Sequence, residues 1–254
     1  MVRFIVARKN EETFNKFLLP SLQKVGVQAI QVHDDNNENA TIFKKYNMGI
    51  DALLNQNIED NEIIVFVHED IGIVDNLFIE KVETLFSEKP DVGLAGIAGT
   101  NEFTERGGWW MNVSDKLRGH LIQGQDATPG QGQHLVKGPI GFYNDVVAID
   151  GCIMMVRSKL LKDGLRFDND TFDVENDFYD IDFGLQVLEK SFDIAVADIL
   201  VFHNSMGKGS LKEPWHKAKE KLIKKWKDKG IEFPITKDQF VVERDNSEIV
   251  EIEV

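Results

Sequence analysis

The stretch Glu62 to Gly72, Glu-Ile-Ile-Val-Phe-Val-His-Glu-Asp-Ile-Gly, sets the tightest limit on how this chain folds. Its apolar run, Ile63 to Val67, is too short for a typical helix and too continuous for a half-exposed strand. It therefore reads as a strand covered on both faces. Strands of that kind sit centrally in α/β sheets, where the ligand crevice lies beyond the carboxyl ends of the strands. His68, Glu69 and Asp70 project at that end. The plainer alternative is a strand that simply runs into a polar turn, and the surrounding sequence decides between the two.

The flanking segments repeat the pattern. Phe4 to Ala7 reads as a first buried strand, and Asn10 with Glu11 and Glu12 behind it is a helix start with acids in its first turn. Phe14, Phe17, Leu18, Leu22 and Val25 keep helical spacing as far as Gly26, with Pro20 expected to kink or divide the helix. Val27 to Val32 is a second strand, ending in the polar loop His33 to Asn37. A helix carrying Ile42, Phe43, Tyr46, Ile50, Leu53 and Leu54 leads into the Ile63 strand. Strand, helix, strand, helix, strand is the order of a parallel sheet with right-handed crossovers. A helix from about Asp75 to Ser87 and a strand from Val92 to Ala98 extend it.

From Gly99 to Asn144 the alternation stops, and the sequence is rich in Gly, Gln, Asn and Asp. Long irregular segments inside compact domains are usually functional, so this one reads as a substrate loop. Trp109 and Trp110 within it would either stack on a sugar or plug the core. Buried-strand character returns at Val146 to Ile149 and Cys152 to Val156, around the sharp Asp150-Gly151 step. Seven acids lie between Asp168 and Asp182. A helix N-terminus accounts for most of them. It accounts less well for Asp180 and Asp182, which sit among Phe178, Tyr179, Ile181 and Phe183, where a carboxylate is costly without a partner or a function. Ile194 to Phe202 reads as a last strand, and His203 follows it directly. A lone histidine there is more often structural than a ligand.

Composition removes whole classes of function. A net charge of -14 opposes a general nucleic-acid binder, which needs clustered Lys and Arg. The single cysteine, Cys152, precludes an intramolecular disulfide and reads as a small buried hydrophobe. Apolar runs stay short of a spanning helix, and Met1 to Asn10 turns charged too early for a secretory signal, so a cytoplasmic location is expected. Residues 211–230 hold eight Lys against three acids, with Trp215, Leu222, Ile223 and Trp226 at near-helical spacing. Two units follow from this contrast, a domain over 1–210 and a basic amphipathic helix and tail over 211–254. The helix would dock on the protein's own acidic surface or, as the second choice, on the inner face of an anionic membrane.

Asp34, His68 to Asp70, Asp180 to Asp182 and His203 all follow or adjoin strands and can meet along one sheet edge. Carboxylates with one or two imidazoles suit Mn or Mg, and such an ion would neutralise a diphosphate. No Gly-x-x-x-x-Gly-Lys-Ser/Thr or Gly-x-Gly-x-x-Gly pattern is present to cradle phosphate by backbone alone.

His68-Glu69-Asp70 after its strand resembles the Asp-x-Asp motif of glycosyltransferases with the GT-A fold, family 2 and its bacterial glycosyltransferase-like branch. Gly96-Ile97-Ala98-Gly99 with Trp109-Trp110, Asp150-Gly151-Cys152 leading to Arg157, Phe178-Tyr179-Asp180-Ile181-Asp182-Phe183, and His203 with Gly207 are similar to that branch in order and spacing, over about Phe4 to Gly209. The resemblance implies a Rossmann-like, mostly parallel central sheet flanked by helices. It also implies inverting, metal-dependent transfer of a hexose from a UDP- or GDP-sugar to an acceptor hydroxyl. By position, Asp34, Asn47, Glu69 and Asp70 would contact the donor, and Asp70, His203 and His68 would hold the metal. Asp180, with Asp182 behind it, would be the base, and Trp109, Trp110 and Gly151 would meet the acceptor. Two departures stand out: His68 replaces the usual first Asp, and Tyr179 stands where the wider family often has Glu. A nucleotidyltransferase, or a non-catalytic nucleotide- or carbohydrate-binding relative, are the alternatives.

Overall fold

The computed structural model describes residues 1–33, 40–124, 134–138, 141–172, 176–205 and 212–240. Along the chain these form β1 (Val2–Ala7), α1 (Glu11–Lys16), α2 (Leu18–Val25), β2 (Ala29–Val32), α3 (Ile42–Leu54), β3 (Ile63–His68), β4 (Ile71–Ile73), α4 (Phe78–Glu88), β5 (Val92–Gly96) and β6 (Ala98–Thr100). There follow β7 (Leu117–Gln123), β8 (His134–Lys137), β9 (Tyr143–Val146), β10 (Ala148–Ile149), β11 (Ile153–Arg157), α5 (Ser158–Lys162), α6 (Tyr179–Glu189), β12 (Asp193–Val196), β13 (Val201–His203) and α7 (Glu213–Asp228).

The main sheet runs β2-β1-β3-β11-β5-β12-β9. β1 is parallel to β2 and β3, and β12 is parallel to β5, while β11 lies antiparallel between β3 and β5. Five strands therefore share one direction, and β11 and the edge strand β9 oppose it. Ile63 to Val67 are buried throughout, as a strand between two others and under helices on both faces must be. Ala7, Val32 and His68 are paired in register, so β1, β2 and β3 end at one level. The first helix divides at Phe17, four positions after Thr13 and three before Pro20. Proline at 20 has no N–H for the carbonyl of residue 16 and its ring crowds that carbonyl, so the break falls ahead of the proline.

Two segments that read as single strands are each split between sheets. β5 continues into β6, and β12 into β13, but the second member of each pair belongs to a smaller sheet ordered β10-β6-β7-β13-β4, with β8 on β7. β5 and β12 are neighbours, and the Ala197 N–H still donates to the Gly96 carbonyl at 2.8 Å where the two depart. Beyond this point β6 pairs closely with β10 inside the second sheet. A Cβ at Gly99 would stand 2.2 Å from the Ala148 carbonyl oxygen, which only glycine avoids. The splitting matters for function, because it swings His203 out of the main sheet and onto β4.

Helix α7 buries Trp215, Ala218, Leu222 and Trp226 in the same apolar core as the sheet and α6. No helix among the described residues is long and apolar enough to cross a membrane.

Candidate active site

His68 is the last residue of β3, Asp70 lies in the turn between β3 and β4, and His203 ends β13, opposite Ile71 of β4. The Asn204 N–H donates to the Asp70 carbonyl at 2.9 Å and locks that turn to the end of β13. His203 Nε2 lies 3.5 Å from Asp70 Oδ2, and His68 Nδ1 lies 3.9 Å from Asp70 Oδ1. The imidazole rings are 5.7 Å apart at 64°. Burial pushes the Asp70 carboxyl up, but the hydrogen bond from His203 and the charges of both histidines outweigh it and hold Asp70 below its ordinary value. Burial lowers His203, and Asp70 more than restores it, so His203 rises above 6.5.

Ligand atoms of His68, Asp70 and His203 all lie within 4.8 Å of one another. Asp70 Oδ1 and His203 Nδ1 are buried without a hydrogen-bond partner among the described residues. Such atoms are costly unless something else engages them. An unpartnered carboxylate oxygen and imidazole nitrogen, with the His68 ring beside them, fit a divalent cation, and the mixed O/N set suits Mn2+ better than the oxygen-seeking Mg2+. Asp150, Cys152 and His203 form a second cluster of the same size. There the Cys152 thiol, pushed well up by burial and by Asp150, stays protonated and is a poor ligand.

A cavity of about 450 Å³ opens beside these donors, lined among others by His68, His203, Asp150, Asp180, Trp109 and Trp110. Asp180 is partly accessible on its wall, in the first turn of α6. Burial, reinforced by the charge of Asp150, raises its carboxyl to about 7 against the hydrogen bonds from the Ile181, Asp180 and Gly151 N–H groups. A carboxylate with a pKa near neutrality beside a cavity has the properties of a general base. Asp150 itself accepts from Trp109 Nε1 at 3.2 Å and from the Cys152 N–H at 2.9 Å.

The structure separates the expected site residues into two groups. His68, His203, Asp180, Trp109 and Trp110 gather at the cavity, with Asp70 between the histidines. Trp109 is 3% exposed and bonded to Asp150, whereas Trp110 is 39% exposed, so the pair does not act as one mobile unit. Asp182 is turned the other way, fully buried, and accepts from Lys225 Nζ at 2.7 Å, Trp226 Nε1 at 3.0 Å and Gln186 Nε2 at 2.9 Å. These bonds fasten α7 to α6, and Asp182 is not among the residues lining the cavity. Asn47 spends both ends of its amide on the Phe167 backbone, at 2.7 and 3.0 Å, and is not among the cavity residues. The Glu69 carboxylate accepts the Lys9 and Asn10 N–H groups, at 2.7 and 2.9 Å, and so holds the turn after β1. At Gly151 an added Cβ would meet the Tyr179 hydroxyl at 2.3 Å, so the glycine makes room for Tyr179. Asp34, in 34–39, and Gly207, in 206–211, lie outside the described residues.

Asp150 entered the sequence reading only within the Asp150-Gly151-Cys152 block and was given no role at the site. Its signal was the one that marks His68, a polar side chain directly after an apolar run.

Residues 3–232 match the Glycosyltransferase like family. The chain belongs to that family. The match spans α7 as well as the sheet, in keeping with the common core, and the α/β arrangement is the GT-A one expected of such a glycosyltransferase. No curated protein matches the chain. Among solved structures, a mannosyltransferase from Pyrobaculum calidifontis in complex with GDP-Man and Mn2+ is similar, with 11% identity and a TM-score of 0.46 over 82% of this chain. The chain spans 58% of that protein's length.

Proposed function

We propose that this glycosyltransferase-family protein moves a sugar from a nucleoside diphosphate sugar to an acceptor hydroxyl with inversion, using Asp180 as general base and a cation site made by Asp70, His203 and His68. The observation that carries the reading is the pairing of two features at one cavity. One wall presents His68 and His203 with Asp70 beside them, Asp70 and His203 holding unpartnered buried atoms, and another presents a carboxylate raised to about 7.

A bound Mn or Mg would supply positive charge to the departing diphosphate. The chain itself does the rest. Asp180 accepts the acceptor's proton at a carboxylate oxygen, and burial together with Asp150 raises its proton affinity to near neutral pH. Trp109, fixed through Asp150, forms a rigid cavity wall, and the half-exposed face of Trp110 offers a stacking surface to a carbohydrate acceptor. Glu69 holds the turn after β1, which shapes the donor side. Both UDP- and GDP-sugars remain within the proposal, because nothing in these donor contacts selects the base.

Helix α7 is proposed as an internal brace. Lys225, Lys227 and Lys229 lie within 4.0 Å of Asp182, Glu105 and Glu189 on other parts of the chain, whereas Lys217 and Lys224 pair with Glu213 and Asp228 of α7 itself; the three outward ties and the buried stripe make contact of 211–230 with an anionic membrane the weaker reading. Calorimetric titration with UDP and GDP, in Mn2+ and then in excess chelator, tests the cation site. Tight nucleotide binding that is lost with the ion is expected, and equal affinity in both conditions would remove it.

A further inference from the structure

Tyr179 opens α6 with its ring buried among Phe43, Tyr46 and Phe167. That packing needs no oxygen, and a phenylalanine would fill it equally. The hydroxyl nonetheless lies 2.5 Å from His68 Nε2. The turn before β11 is shaped to permit this approach. A Cβ at Gly151 would stand 2.3 Å from Tyr179 Oη and 2.5 Å from Cζ, so any larger residue would displace the phenol. On the far side of the imidazole, His68 Nδ1 is turned toward Asp70 Oδ1 at 3.9 Å. One ring nitrogen is committed to Tyr179, and the other faces the cation donors.

We infer that Tyr179 is a positioning residue for His68: its hydroxyl accepts the Nε2–H and so directs the Nδ1 lone pair at the cation site shared with Asp70 and His203. The two ring nitrogens of a neutral histidine hold one proton between them, so fixing that proton at Nε2 makes Nδ1 the acceptor. Imidazoles that bind a cation are commonly held in this way by a partner on the other nitrogen. Gly151 is the second part of the device, acting by the space it leaves. The inference rests on the proposed role of His68 as a ligand, and its test keeps the two apart.

Tyr179→Phe retains the ring and removes only the oxygen. In the metal-free protein, long-range proton–nitrogen NMR of the imidazoles, with His68→Gln to assign the signal, should show His68 protonated at Nε2 in the wild type. In Y179F the signal should move to the Nδ1-protonated form or to a mixture. Mn2+ titration followed by electron paramagnetic resonance should then show affinity about 10- to 100-fold weaker in Y179F, with activity recovering as Mn2+ is raised. Gly151→Ala should weaken Mn2+ binding in the same direction. A wild-type His68 protonated at Nδ1, or Mn2+ affinity in Y179F equal to wild type, would overturn the inference. If the wild type bound neither Mn2+ nor Mg2+, the cation site itself would fail, and the tautomer measurement alone would still decide whether Tyr179 orients His68.

Discussion

Asp180→Asn separates the two consequences of a carboxylate whose proton affinity is raised in the fold. A rise from 3.8 to about 7 means that the folded protein binds a proton more tightly here than the unfolded chain does. Folding is therefore favoured while Asp180 is protonated, and stability falls as pH climbs from the unfolded value near 3.8 through the folded value near 7. At about 1.4 kcal/mol for each tenfold in proton affinity, the full cost above pH 7 is about 4 kcal/mol, of which about 2 to 3 kcal/mol accrues between pH 5 and pH 8. Asparagine has no such charge and keeps most of the size. Denaturant unfolding of wild type and D180N at pH 5 and pH 8 should show the mutant gaining that amount relative to wild type at the higher pH. Its turnover should meanwhile fall about 100- to 10,000-fold, the usual worth of a general base, with nucleotide and metal affinity nearly unchanged. Equal pH dependence of stability in the two proteins would refute the raised proton affinity, and near-normal turnover would refute the catalytic role.

Further outcomes follow from the packing. Trp109→Ala should cost about 3 to 5 kcal/mol because the indole is buried and bonded to Asp150, whereas Trp110→Ala should leave the thermal midpoint almost unmoved and raise KM for the acceptor; differential scanning fluorimetry with acceptor kinetics checks both. Lys225→Met strands Asp182 in the core and should destabilise by about 3 to 5 kcal/mol in denaturant unfolding, while Lys217→Met, whose exposed side chain pairs with Glu213 of the same helix, should cost about 0.5 kcal/mol or less.

Much of this arrangement was legible in the residues. The β3 run and the polar residues behind it identified a central strand and the sheet edge where the cavity opens, because continuous burial and an abrupt polar end have few other causes. Pro20 announced a broken helix, and only the position of the break needed the structure. The sites at His203 and Asp70 were legible as residue types at strand ends, but their meeting was not. It depends on β12 and β13 parting company at Ala197, and a continuous apolar stretch gives no sign of a change of sheet. Asp180 and Asp182 looked alike in sequence. They are two residues apart on a helix, so their side chains point about 200° apart, one to the cavity and one to Lys225 and Trp226. The apolar stripe of α7 was legible at Trp215, Leu222 and Trp226; the structure adds Ala218 to it and leaves Ile223 half-buried, since long cationic side chains cover part of the apolar surface.

The central claim is catalytic transfer from a nucleotide sugar at the Asp70, His203 and Asp180 site. Its most direct test is release of free nucleoside diphosphate from a panel of UDP- and GDP-sugars in the presence of Mn2+ or Mg2+, where slow hydrolysis without acceptor already suffices. The account predicts release from a donor of one base, abolished by chelator and in Asp70→Ala, and strongly reduced in D180N. Tight binding of a nucleotide sugar with no diphosphate released under any condition would make the protein a binder, and pyrophosphate released from a nucleoside triphosphate and a sugar phosphate would make it a nucleotidyltransferase; either result contradicts the account.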